Sequence, residues 1–306
     1  IRSPMRARIT LVAVTLLASA AIPTGTALCQ RPLKVYISAD MEGIAGVVSP
    51  DQLGPTGFEY SRFREFMTAE VLAAIEGARE AGATEILVSD SHGNGLNLLI
   101  ERLPADVRVV RSWPRPLGMM EGIDSTFAVA IFIGYHAATT NPAGVRAHTL
   151  SSANYAGVAL NGVQVPEAGL NAAIAGYFGV PVALISGDDV TVEEARRLIG
   201  NIEGVAVKRA ISFHAASTLT PQAAQALIKE RVKAVLGRRE SLRPYRVAAP
   251  VRLDLTFKNY RPAEMLAYLP IVQRTDAHSI RYTGRNVLEV SRFLQFVGGY
   301  EPGLTP

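Results

Sequence analysis

Leu33-Lys34-Val35-Tyr36-Ile37-Ser38-Ala39-Asp40-Met41-Glu42-Gly43 is a near-continuous apolar run that ends in two carboxylates and a glycine. Runs that do not alternate with polar residues are the mark of parallel strands buried on both faces. Two further runs repeat the arrangement. Thr84 to Ser89 stops just before Asp90 and His92, and Phe127 to Gly134 stops just before His136. In an open α/β sheet the loops leaving the carboxyl ends of the strands meet in one crevice. Side chains at these three tips are therefore expected to converge, although they lie far apart in the chain.

Between the runs, Phe63, Phe66, Met67, Val71, Leu72 and Ile75 recur at three- and four-residue steps, which predicts an amphipathic helix over 58–81 with Gly82 as its stop. A short strand is expected around Val107 to Val110. A hairpin is expected from Gly157 to Val165, because Asn161-Gly162 tolerates the positive φ of a tight type I′ turn. Pro166 opens a helix to about Tyr177, and Val182 to Ser186 reads as another buried strand, ending at Gly187-Asp188-Asp189. Past residue 200 the character changes: Thr220-Pro221 starts a helix to about Leu236, and Val251 to Phe257 alternates like a half-exposed strand. The expected fold is α/β, a mostly parallel sheet flanked by helices, with a smaller α+β carboxyl-terminal domain. Boundaries are expected at 1–29 for a leader, 30–200 for the first domain and 201–306 for the second.

With 306 residues, 48% of them apolar, the chain has material for a substantial packed core, which argues against intrinsic disorder. Met5-Arg6-Ala7-Arg8 is a basic start, the fourteen residues from Ile9 to Ile22 are nearly all apolar, and Gly25-Thr26-Ala27 offers small residues for cleavage. A membrane-crossing helix needs roughly 20 apolar residues. The expectation is thus a signal peptide cleaved between Ala27 and Gln30, an exported periplasmic or secreted protein, and no stable membrane anchor afterwards. Arg2, Arg6 and Arg8 fall in the leader, which has no acid, so its removal takes the formal net charge of +4 down by three to +1. A near-neutral body without a Lys/Arg block speaks against nucleic-acid binding. Cys29 is the only cysteine. Any metal must be held by His, Asp and Glu, since neither a disulfide framework nor a thiolate site is available.

Five candidate ligands follow: Asp40, Glu42, His92, His136 and Glu167. Asp40 and Glu42 are two apart, so they share a face if the strand continues through Met41. Carboxylates with imidazoles and no thiolate suit zinc, manganese or cobalt in a hydrolytic site, and two ions would need a bridging carboxylate, for which Asp40 is the choice. Asp90 stands near enough to orient His92 through its second ring nitrogen. Each residue also has a plainer reading: Asp40 as a loop cap, either histidine as a structural side chain, Glu167 as an ordinary first-turn acid favoured by the helix dipole. His148, in a polar loop, suits a proton shuttle, or is simply a surface histidine. His214 and His278 have no acidic cluster around them and read as structural. No dinucleotide fingerprint, phosphate loop or Gly-x-Ser-x-Gly elbow is present in the sequence.

The motifs SADMEGIAGV, DSHG, GYHA, AHTLSS, NG…PEAGLNAA and PVALISGDD, in this order across Lys34 to Asp189, resemble the DppA-type D-aminopeptidases of the M55 metallopeptidase family. The resemblance implies a dinuclear zinc aminopeptidase acting on short peptides with an amino-terminal D-residue, of the D-Ala-D-Ala type. It implies two zinc ions per subunit, with manganese or cobalt as alternatives, held by Asp40, Glu42, His92, His136 and Glu167, and His148 as the catalytic histidine. It also implies a ring-like homo-oligomer, a decamer, with 30–200 as the catalytic part and 201–306 serving oligomerisation or a substrate channel. Asp188 or Asp189 is a candidate to hold the substrate's amino terminus. Two other readings stand beside it: a di-metal amidase or esterase on another small substrate, and a non-catalytic exported peptide-binding protein.

Overall fold

The computed structural model describes residues 32–300, with Ile1 and Pro4 alone before them, so the expected leader and its cleavage point lie outside the described residues. In chain order the elements are β1 (Leu33–Ala39), α1 (Tyr60–Glu80), β2 (Ala83–Asp90), β3 (Arg108–Val110), β4 (Val129–Ile133), β5 (Tyr155–Leu160), β6 (Val163–Gln164), α2 (Glu167–Tyr177), β7 (Val182–Asp188), α3 (Asp189–Ile199), β8 (Glu203–Ser212), β9 (Ala215–Thr218), α4 (Pro221–Gly237), β10 (Val251–Phe257), α5 (Tyr260–Leu266), β11 (Val272–Arg274), β12 (Ser279–Gly284) and α6 (Val287–Gly299). A seven-stranded sheet has the order β3-β2-β1-β4-β7-β8-β9. All its neighbours are parallel except β8 and β9. A five-stranded antiparallel sheet has the order β11-β12-β10-β5-β6. The expected α/β class, a mostly parallel sheet flanked by helices, is what the chain forms, and a smaller antiparallel sheet accompanies it.

Burial on both faces explains the unbroken apolar runs. In β1, Leu33, Val35, Ile37 and Ala39 face one core while Tyr36 faces the other. On the first side Phe63, Met67, Val71 and Ile75 of α1 meet Ile228, Val232 and Val235 of α4. Each such side chain contributes about 1.5–3 kcal/mol when fully buried. Gly82, with φ of 92°, ends α1 where the sequence places its stop. Thr220 caps α4 by accepting from Ala223 N, with Pro221 in the first turn. Asn161 and Gly162 take φ of 49° and 87° in the β5–β6 turn, as the hairpin requires.

The chain does not divide between the two sheets at residue 200. β8, β9 and α4 belong to the larger sheet and its core, whereas β5 and β6, well before that point, belong to the smaller one. The reason is pairing: β5 finds its antiparallel partner in β10, with Leu160 opposite Leu253 and Gly157 opposite Thr256. The sheets are interleaved in sequence and share a core that holds Phe132 of one and Leu253 of the other.

The register brings the strand tips level. Ala39 pairs with Asp90 on one side and Ile133 on the other, so the residues after β1, β2 and β4 emerge together. The strand order runs outward in opposite directions from β1 and β4, which makes their junction the switch point where open α/β sheets bind ligands. Strand geometry stops at Ala39 and Met41 lies in a turn. The carboxylates reach one place because the loop is laced to the end of β4: Asp40 N donates to Ile133 O at 2.8 Å, and Gly43 N to Gly134 O at 2.7 Å. Only glycines fit there. A Cβ on Gly43 would stand 2.0 Å from Tyr135 O, and one on Gly134, whose φ is 72°, 2.2 Å from Asp40 O. Gly43→Ala is therefore expected to cost about 1–3 kcal/mol, read as a lower midpoint in urea unfolding. An unchanged midpoint would mean the two loops part freely.

Candidate metal centre

Asp40, Glu42 and Glu167 are 2%, 5% and 5% exposed, so three carboxylates have been taken out of water within one cluster. Buried charge of one sign is costly unless something compensates it. Three imidazoles face the cluster. His92 Nδ1 lies 2.9 Å from Glu42 Oε2 and 3.2 Å from Asp40 Oδ1. His136 Nε2 lies 3.2 Å from Asp40 Oδ2 and 3.5 Å from Glu167 Oε1. His148 Nε2 lies 4.0 Å from Glu42 Oε1 and 3.9 Å from Glu167 Oε1.

The other nitrogen of each ring is committed. His92 Nε2 donates to Leu53 O at 2.7 Å, His136 Nδ1 to Ala137 O at 3.1 Å, and His148 Nδ1 to Arg146 O at 2.9 Å. A carbonyl only accepts, so in the neutral rings these nitrogens carry the proton and the ones facing the carboxylates are bare. His136 Nε2 and Asp40 Oδ2 are both buried without a hydrogen-bond partner, although they are neighbours. Lone pairs aimed at carboxylate oxygens need a positive charge between them. Protons alone would have to supply it: burial opposes charge on His92 and His136, yet the carboxylates outweigh it and hold both well above the usual imidazole value. Burial also works against Glu42, but His92 above all keeps it well below the usual carboxylate range. A divalent cation fits the place of those protons, and the oxygen and imidazole donors without thiolate match zinc. Donor atoms within 4.8 Å of one another fall into two sets, Asp40–Glu42–His136 and His136–His148–Glu167.

The cluster is held by its surroundings. Glu167 opens α2, where the helix dipole favours a carboxylate, and its Oε1 accepts from Leu150 N at 2.7 Å. Lys208, buried on β8, donates to the carbonyls of Glu42, Ile44 and Val47, and Glu70 of α1 accepts from Ala45 N at 2.9 Å. These two pin the loop carrying Glu42 from beneath. Neither was singled out by sequence reading, though a lysine ending the apolar run Val205-Ala206-Val207 is a legible oddity. Burial lowers Lys208 to about 8 and raises Glu70 to about 7.

All six residues singled out from the sequence line one cavity of about 510 Å³, with Trp113, Asn154 and Gln295 among its other walls. Three subsidiary expectations are corrected. Asp90 does not orient His92, because its oxygens accept from Asn97 N, Asn97 Nδ2 and Leu98 N, shaping the loop instead. Asp188 is consumed as the cap of α3, accepting from Thr191 N and Oγ1 and from Val145 N. Asp189 accepts from Ala210 N and stands by Arg209. Neither lines the cavity, so neither is available to hold a substrate amine there.

The sequence model of the peptidase M55 family, D-aminopeptidase, matches residues 33–296. A D-aminopeptidase of Bacillus subtilis (strain 168) is 35% identical over 261 residues, covering 84% of this chain and 93% of its own. A solved structure described as the zinc-dependent D-aminopeptidase DppA from Bacillus subtilis, a self-compartmentalizing protease, superposes with a TM-score of 0.83 at 32% identity. The superposition covers 89% of this chain and all, 100%, of that one.

The Glu70 carboxyl titrates higher in the fold than in the unfolded chain, so its contribution to stability is fully present below the usual 4.5 and is lost as pH rises through about 7. Glu70→Gln removes that dependence. The stability of the variant relative to the native chain should rise between pH 4.5 and 7, by up to about 3 kcal/mol. Urea unfolding at a series of pH values checks it, and a pH-independent difference would contradict the assignment.

Proposed function

This chain belongs to the peptidase M55 family of D-aminopeptidases, a family of peptide hydrolases, and from that premise we propose that it is a dinuclear zinc aminopeptidase cleaving short peptides with an amino-terminal D-residue, of the D-Ala-D-Ala type. The observation that carries the reading is the ring of three bare imidazole nitrogens facing three buried carboxylates. Asp40, Glu42 and His92 would hold one ion; Asp40, His136 and Glu167 would hold the other. The contact distances favour this division: Oδ1 of Asp40 faces His92 and Oδ2 faces His136. A carboxylate has an oxygen for each ion, whereas His136 offers a single lone pair and cannot bridge. When bound, zinc supplies Lewis acidity that polarises the scissile carbonyl and brings the pKa of water toward neutrality.

His148 is the proton carrier in this reading. Its Nδ1 proton is fixed on Arg146 O and its ring stacks on His136 with centroids 4.0 Å apart. Nε2 is left to take a proton from the attacking water and return it to the leaving amine. The substrate's amino terminus lies at the carboxylate-rich end, since Asp188 and Asp189 are engaged elsewhere. The self-compartmentalizing relative supports a ring-like homo-oligomer, the decamer that the resemblance implies, and exposed Tyr260, Met265, Tyr268 and Ile271 offer apolar surface for such contacts. The leader read from the sequence makes it an exported enzyme.

Metal analysis of the purified protein should find two zinc ions per subunit. D-Ala-D-Ala hydrolysis should stop with chelator and return with zinc. Peptide bound but not consumed would instead fit the binding-protein reading, and cleavage confined to other small amides or esters the amidase reading. His148→Ala should lower kcat about 10²- to 10⁴-fold while zinc content stays at the native level; undiminished turnover removes His148 from the mechanism.

A further inference from the structure

We propose that Arg146, assisted by Lys258, binds the free carboxylate of the peptide, so that the enzyme reads both ends of a short substrate. This rests on the aminopeptidase reading for the identity of the ligand. A second cavity of about 490 Å³ adjoins the first and shares His148 and Ser152 with it. Its charged side chains are Arg146 and Lys258, with no carboxylate in its lining, whereas the first cavity has Asp40, Glu42 and Glu167 and neither Arg nor Lys. The sign of the charge reverses across His148. A short peptide carries the same polarity, with an amine at one end and a carboxylate at the other.

Arg146 has the features of a residue kept for an anion. Its Nε is buried without a hydrogen-bond partner among the described residues. Burying a guanidinium N–H unpaired is costly and calls for an acceptor. The guanidinium lies over the Phe213 ring, 5.0 Å from its centroid, which holds the planar fork without consuming its donors. Among the described residues, the one polar side-chain contact of Arg146 is a long 3.5 Å approach of Nη1 to His214 Nδ1. A carboxylate matches that fork through two parallel N–H donors, which a lysine cannot reproduce. The backbone is equally constrained. Arg146 takes φ of 54°, its N donates to Phe213 O at 3.0 Å, and its own carbonyl accepts the His148 proton. Left-handed backbone at a non-glycine residue persists only where its neighbours impose it. The residue that sets the His148 tautomer is thus the one whose side chain enters the cationic cavity. Lys258 Nζ donates to Ser152 O in the wall common to both cavities.

The test uses the zinc-loaded enzyme with D-Ala-D-Ala and its carboxyl-terminal amide. The native enzyme should favour the acid about 10- to 100-fold in kcat/KM, the worth of a charge-assisted pair. Arg146→Asn, chosen because Asn accepts positive φ, should bring the preference to within about threefold, acting through KM. Arg146→Lys should keep part of it, and Lys258→Ala should weaken it less, about threefold. Calorimetry with N-acetyl-D-alanine, which has no free amine, reads the same contact without turnover, and its affinity should fall about tenfold or more in Arg146→Asn. Native zinc content and unfolding midpoint mark a folded variant. Should Arg146→Asn not fold, Arg146→Lys and Lys258→Ala decide by the same ratios. Equal use of acid and amide by the native enzyme overturns the proposal. So does N-acetyl-D-alanine binding that is indifferent to Arg146, as expected if the carboxylate sits on the metals. If neither peptide is cleaved but N-acetyl-D-alanine binding still depends on Arg146, the aminopeptidase reading fails while the carboxylate subsite stands.

Discussion

Three imidazoles tied by one nitrogen to backbone carbonyls, each turning its other nitrogen toward buried carboxylates, form the constraint on which the rest of the molecule depends. In the neutral tautomers that those carbonyls select, nothing in the cluster itself separates lone pair from lone pair. Charge neutrality at the centre has to come from a cation. Asp40 sits between two of the rings, with Oδ1 facing His92 and Oδ2 facing His136.

Holding such a cluster out of water takes rigid surroundings, and the fold supplies them on every side. The level ends of β1, β2 and β4 set the spacing, and the close approach at Gly43 and Gly134 lets the loops after β1 and β4 lie against each other. Lys208 fastens the Glu42 loop through three carbonyls from a strand that belongs, in sequence, to the far end of the larger sheet. A lysine there is itself a burden, since burial opposes its charge.

The cavities extend the same electrostatic logic outward. Carboxylates gather on one side of His148 and cations on the other, while the ring itself is oriented by the main chain of Arg146. The orientation of the His148 ring and the placing of a guanidinium in the second cavity thus depend on one left-handed residue. The interleaving of the sheets makes this arrangement possible: Lys258 follows β10, which pairs with β5 directly after the His148 loop.

The buried parallel strands, α1, the β5–β6 hairpin and the starts of α2 and α4 were legible because each rests on local physics: apolar period, a glycine or proline stop, a side-chain cap. So was the candidate donor set, since Asp, Glu and His at the tips of apolar runs have few apolar uses. The division of the chain into sheets was not legible, because strand pairing is a contact between distant segments and β5 carries no mark of its partner. For the same reason Asp188 and Asp90 read as available acids until Thr191, Val145 and Asn97 were seen to occupy them. Lys208 and Arg146 needed the tertiary structure too. Their roles lie in which carbonyls and rings surround them, and a linear pattern records composition and period but not what is brought alongside.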